Sequence, residues 1–236
     1  GPDAMGGVVQ IFTRRGAAAS QTLRLTGGSN GTRQAAIGLG TAVNGWSLGL
    51  QGSLLETDCT NACLGLPFPP GGGCFTSEPD RDPYENHSVN ARLGYQFASG
   101  SHAEAFVQRA EADIAFDGSF LNRSDLVNQA AGFKAQHEWA AGWRSTLTLG
   151  RSWDESTSFS PAGDYASTFD SRRDSATFQT DISMASGTFV FGADWLLDRV
   201  ASDVGFDVDS RFNRAWFAQY TAGVDRWQWG LSARND

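Results

Sequence analysis

The sequence predicts an all-β chain: part of an antiparallel transmembrane β-barrel, with about eleven strands. Three observations carry that expectation. Apolar and polar residues alternate over segments of roughly ten residues. Very short turns close every second connection, near Val43-Asn44-Gly45, Ala98-Ser99-Gly100, Ala140-Ala141-Gly142, Ala185-Ser186-Gly187 and Gly223-Val224-Asp225. Longer, mostly acidic connections lie between them. Long strands with tight turns at one end and longer loops at the other are how a chain crosses an outer membrane.

Each strand has one apolar and one polar face. Trp46, Leu48, Leu50 and Leu54 alternate with Ser47, Gly49, Gln51 and Ser53. Val89, Ala91, Leu93, Tyr95 and Phe97 alternate with Asn90, Arg92, Gly94 and Gln96. Trp143, Leu147, Leu149 and Trp153 oppose Arg144, Thr146, Thr148 and Ser152. Phe189, Phe191, Ala193, Trp195 and Leu197 form another apolar row, although Val190 and Leu196 blur the face opposite, and Phe212, Trp216 and Tyr220 oppose Asn213 and Gln219. Last, Trp227, Trp229 and Leu231 oppose Arg226, Gln228 and Ser232. A soluble sheet with one wet face alternates in the same way. The strand length argues against it, because soluble strands average about 5–6 residues. So do the aromatics beside the short turns, among them Trp46, Tyr95, Trp139, Trp143, Tyr220, Trp227 and Trp229, which form a girdle suited to headgroup depth. Trp143 and Trp153 share a face ten residues apart. With about 3.3 Å per residue and about 45° of tilt they stand roughly 24 Å apart in height, the height of an outward apolar band.

Composition narrows the function. Hydrophobic residues are 40% of 236, and no apolar run approaches the roughly 20 residues of a spanning helix. Net charge is −8, with Lys134 the single lysine, so no nucleic-acid partner is expected. The acid gathers in expected loops, at Glu78, Asp80, Asp82, Glu85, Asp117, Asp154, Glu155, Asp164, Asp203, Asp207 and Asp209. Exposed carboxylates of this density suit a divalent or organic cation, or serve solubility alone. Cys59, Cys63 and Cys74 fall in one loop. Zinc fits poorly without a histidine at ligand spacing. An oxidising compartment favours a disulfide of Cys74 with either Cys59 or Cys63.

An enzyme is not expected. The chain has no G-x-S-x-G elbow: Gly150-Arg151-Ser152 begins one, but Asp154 stands where its second glycine belongs. His87, His102 and His137 make no H-x-x-x-H pair.

The first residues, GPDAMGGVVQIFTRRG, break the barrel rhythm. They resemble the end of the plug domain of TonB-dependent outer-membrane receptors, G-x-D-A-x-G-G-V-(I/V)-x-I-x-T-(R/K), matching at Gly1, Asp3, Ala4, Gly6, Gly7, Val8, Val9, Ile11, Thr13 and Arg14. Pro79-Asp80-Arg81-Asp82-Pro83-Tyr84 resembles the N-P-D-R-D-G-Y loop of the cobalamin-receptor branch, with Pro83 where that branch has glycine. The resemblance implies residues 1–16 as the plug end and 17–236 as the first half of a barrel of about 22 strands. No signal peptide precedes it and the strand count is odd, so a piece of a longer receptor is expected. Its two open edges should prevent insertion alone.

The same resemblance implies an integral protein of the Gram-negative outer membrane, embedded in the lipid bilayer. It implies a TonB partner contacting the missing plug segment, and uptake of cobalamin or another corrinoid. It implies calcium in the outer loops, held by Asp80, Asp82 and Asp117; Glu78 departs from the branch, replacing a small polar residue, and offers one more carboxylate. A ferric-siderophore receptor is the alternative, since the plug motif is common to both. A passive porin would explain the barrel but not the plug motif. The loops at 58–85, 113–125, 155–171 and 199–210 form the outer mouth in this reading, and Arg92, Gln96, Arg144, Thr146, Thr148 and Gln228 face the lumen.

Overall fold

The structure is a computed structural model that describes residues 19–61, 80–224 and 226–236. Among the described residues eleven strands form one antiparallel sheet in sequence order, each pairing with its neighbours in the chain. They are β1 (Ser20–Gly27), β2 (Arg33–Val43), β3 (Trp46–Thr57), β4 (Tyr84–Gln96), β5 (His102–Ala115), β6 (Arg123–Ala140), β7 (Trp143–Phe159), β8 (Ala166–Met184), β9 (Gly187–Ser202), β10 (Ser210–Val224) and β11 (Trp227–Asn235). Among the described residues no helix is long and apolar enough to cross a membrane, which says nothing of strands. The expected plug end lies outside the described residues.

The tight turns fall where the glycines and asparagine require. Between β2 and β3 only Asn44 and Gly45 remain, at φ 51° and 84°. Two successive left-handed residues make the turn whose twist matches a hairpin, and Asn-Gly adopts it at least cost. The β6–β7 turn at Ala141-Gly142 is equally short, with Gly142 at φ 80°. At the other end the strands outrun expectation. The connections shrink to 58–83, 116–122, 160–165 and 203–209. Ser156–Phe159 and Ser167–Phe169 lack an apolar row, yet they continue the β7–β8 ladder. Ser, Thr and Phe pair well across strands whatever the solvent. Ser124 and Ser158, for example, join their hydroxyls at 2.6 Å.

The apolar rows are on the outside of the chain's own packing. Among the described residues only Ala215 and Ala222 are buried hydrophobics. Large side chains stand exposed along one face, including Leu93, Phe133, Leu149, Phe178 and Trp216. Register makes them continuous: Leu48, Leu93, Ala105, Phe133, Leu149, Ala176 and Trp195 are neighbours across β3 to β9. A water-soluble chain of this size would bury such residues. The rings beside the short turns touch one another, with Trp46 and Tyr95 centroids 4.7 Å apart and Tyr220 and Trp229 5.2 Å apart.

The opposite face is polar and ion-paired. Arg92 lies 3.5 Å from Glu104, and Arg234 lies 2.8 Å from Asp194. Asp194 also accepts a 2.9 Å bond from the Thr177 hydroxyl. Asp198 accepts from both Arg173 and Arg211. Pairing matters on this face, because a lone charge withdrawn from water is costly.

Candidate functional site

The long-loop end gathers the acidic residues singled out above. Asp80 and Asp82 lie on the segment entering β4, and Asp117 lies in the β5–β6 loop. Register of β4 on β5 brings the two segments together, with Tyr84 opposite Ile114. The Ala115 amide then donates to the Pro83 carbonyl at 3.0 Å. Pro83 therefore suits its position: it precedes the strand, where a missing amide proton costs nothing.

One carboxylate oxygen from each of Asp80, Asp82 and Asp117 falls within 4.8 Å of the others. Asp80 is exposed, while Asp82 and Asp117 are half-buried. Both Asp117 oxygens are withdrawn from water. Oxygens that share one calcium ion at 2.3–2.6 Å stand no more than about 5 Å apart. The three carboxylates fit that limit and supply the hard oxygen donors calcium selects. Without a cation they would repel one another.

Two local devices set this geometry. Arg81, between the two aspartates in sequence, forms an ion pair with Asp58 at 3.3 Å. The 116–122 loop is closed by the Phe116 amide on the Asn122 carbonyl at 2.9 Å. Its tightness needs Gly118, where a Cβ would collide with the Leu121 carbonyl oxygen. Glu78 lies outside the described residues, as do Cys63 and Cys74. Cys59 is half-buried and is the cysteine among the described residues.

Sequence reasoning missed a second ordered feature of this rim. Asp203 ties the β9–β10 loop to the start of β8. Its carboxylate accepts from the Ser167 hydroxyl at 3.1 Å, the Thr168 amide at 3.0 Å and the Ser202 hydroxyl at 3.2 Å. Partial loss of water raises its pKa, but those three donors outweigh this and hold it below the usual carboxylate range. The pairing of 167–168 with 203 across a loop left no periodic signal to find.

No family model matches the chain, and no curated protein matches it. Solved structures do match. One is a mutant of the ferric enterobactin receptor PfeA of Pseudomonas aeruginosa, with a TM-score of 0.73 over 98% of this chain at 14% identity. The two share a fold. The chain spans 41% of the length of that structure.

Proposed function

We propose that this chain is a stretch of the barrel of a TonB-dependent outer-membrane receptor, a transporter rather than an enzyme. The observation that carries the reading is the inverted sheet: a continuous apolar belt outside, ion pairs inside, and a fold shared with a receptor of that kind. In this reading residues 1–16 end the plug, TonB acts on the plug, and residues 17–236 belong to the barrel in the lipid bilayer. The ligand is a scarce, bulky molecule taken from outside. The shared fold with a ferric enterobactin receptor supports a ferric siderophore.

Cobalamin, or another corrinoid, is the second reading. A separate observation favours it: the acidic trio expected from that branch converges from two loops. Calcium held by Asp80, Asp82 and Asp117 would neutralise them and order the loops before ligand arrives. Such preorganisation raises affinity by lowering the ordering cost of binding.

Titration of the full-length receptor with ferric enterobactin and with cyanocobalamin, each with calcium and with chelator, separates these readings. Tight ferric-siderophore binding indifferent to chelation supports the first. Tight cobalamin binding that weakens on chelation supports the second. Uptake unchanged in cells lacking TonB would refute both.

A further inference from the structure

The apolar face carries a charged cluster that a lipid-facing surface does not need for its own packing. Arg151 on β7, Arg172 and Asp174 on β8, and Arg199 on β9 all lie in the outward rows. Asp174 is opposite Arg151 and Leu197, and Arg172 is opposite Trp153 and Arg199. Leu149 and Ala176 of the apolar belt are the next members of the same rows toward the short-turn end.

Asp174 is the hub. Its side chain is 11% exposed and pairs with Arg151, with Arg172 at 3.1 Å and with Arg199 at 3.4 Å. The Arg151 guanidinium also lies over the Trp153 ring, 5.6 Å from its centroid. Three guanidinium groups offer about fifteen N–H donors, and one carboxylate accepts about four. The cluster therefore keeps two net positive charges and most of its donors. Its arginines remain 36–50% exposed on the outward side. The buried Arg172 Nε has no partner among the described residues.

Depth identifies what completes it. Arg151 lies eight residues above Trp143 on the same strand, about 19 Å in height at the tilt of a barrel strand. That is about 5 Å below Trp153, at the loop-side margin of the apolar band, where a long cationic side chain reaches headgroup depth. One pair further out, Glu155 faces Asp170. The cations form a narrow ledge between the apolar belt and an acidic rim. Beside it lies a shallow apolar trough between Leu50, Val107 and Trp153, floored by Gly52, Ala91 and Ala131. Phosphate beside acyl chain is the chemistry of a phosphorylated lipid.

We propose that the Arg151–Arg172–Arg199 ledge binds phosphate groups of an outer-leaflet lipid, with Asp174 holding the three guanidiniums in place. This rests on the membrane-barrel reading above. Phosphate accepts charge-assisted, bidentate bonds from arginine, and each basic side chain near an anionic lipid surface strengthens binding about fivefold. Asp174 sets the geometry at the cost of one charge.

The test uses the full-length receptor in detergent, titrated with phosphorylated lipopolysaccharide and with its dephosphorylated form, the bound lipid being read by native mass spectrometry. Arg151→Gln, Arg172→Gln, Arg199→Gln and Asp174→Asn together leave no buried unpaired charge and remove two net charges. Binding of the phosphorylated lipid should weaken about 30-fold, to the level of the dephosphorylated one. Asp174→Asn alone leaves three net charges and should tighten it about fivefold. Equal affinity of wild type and both variants for the phosphorylated lipid overturns the inference. Wild-type receptor that does not form a heat-modifiable barrel in the outer-membrane fraction overturns the receptor reading itself, and this inference with it.

Discussion

Placing an arginine at Leu149 tests which face of the sheet meets lipid. Leu149 is 41% exposed within the chain's own packing and neighbours Phe133 and Ala176 across the ladders. It lies six residues above Trp143 and four below Trp153. At about 3.3 Å per residue and about 45° of tilt, that is roughly 14 Å from the lower ring of the belt and 9 Å from the upper. The side chain is thus near the middle of the apolar layer. An arginine there costs about 2–4 kcal/mol in a membrane barrel, and near the interface about 0–1 kcal/mol. Thr148→Arg is the control. It points to the other face, opposite Lys134 and Thr177, close to the Asp194 carboxylate that Thr177 contacts. Its cost should stay within about 1 kcal/mol. Unfolding of the full-length receptor from lipid vesicles in denaturant measures both. Equal losses for Leu149→Arg and Thr148→Arg would refute the lipid-facing assignment.

Three further outcomes are expected. Asp82→Ala with Asp117→Ala should weaken calcium binding to the full-length receptor more than tenfold by calorimetry, since two of three protein carboxylates go. Gly118→Ala should weaken it too, because the loop must open to relieve the Leu121 carbonyl, while Gly49→Ala, with nothing near its Cβ, should leave calcium affinity unchanged. For Asp203 the folded pKa lies below the unfolded one, so its contribution is complete above about pH 3.9 and is lost as pH falls through the lowered value. Hydrogen exchange at the Thr168 amide should stay flat from neutral pH to about 5 and lose protection below about 4, a step that Asp203→Asn removes.

The strands and their two faces were legible because period-two alternation needs no neighbour to be read. The turns at Asn44-Gly45 and Ala141-Gly142 were legible for the same local reason. The loop lengths were not. Ser156–Phe159 and Ser167–Phe169 read as loop because no apolar row runs through them, and only pairing with each other makes them strand. At the acidic site, Asp80 and Asp82 were marked by their spacing and by resemblance. Their meeting with Asp117 depends on the β4–β5 ladder and on the Ala115–Pro83 bond. The arginine ledge left no sequence signal, since Arg151 and Arg199 lie on strands separated by β8.

By itself, then, the sequence determined the hairpin order of a meander and which residues share a face of each strand. The tertiary structure alone decided register. Sliding one strand by two residues leaves every apolar side chain on its own face, so alternation cannot distinguish the two pairings. That same slide would move Asp117 away from Asp82 and Asp174 away from Arg151. Hydrogen-bonded ladders and turn geometry remove the ambiguity, and with it they assemble the carboxylate trio and the ledge.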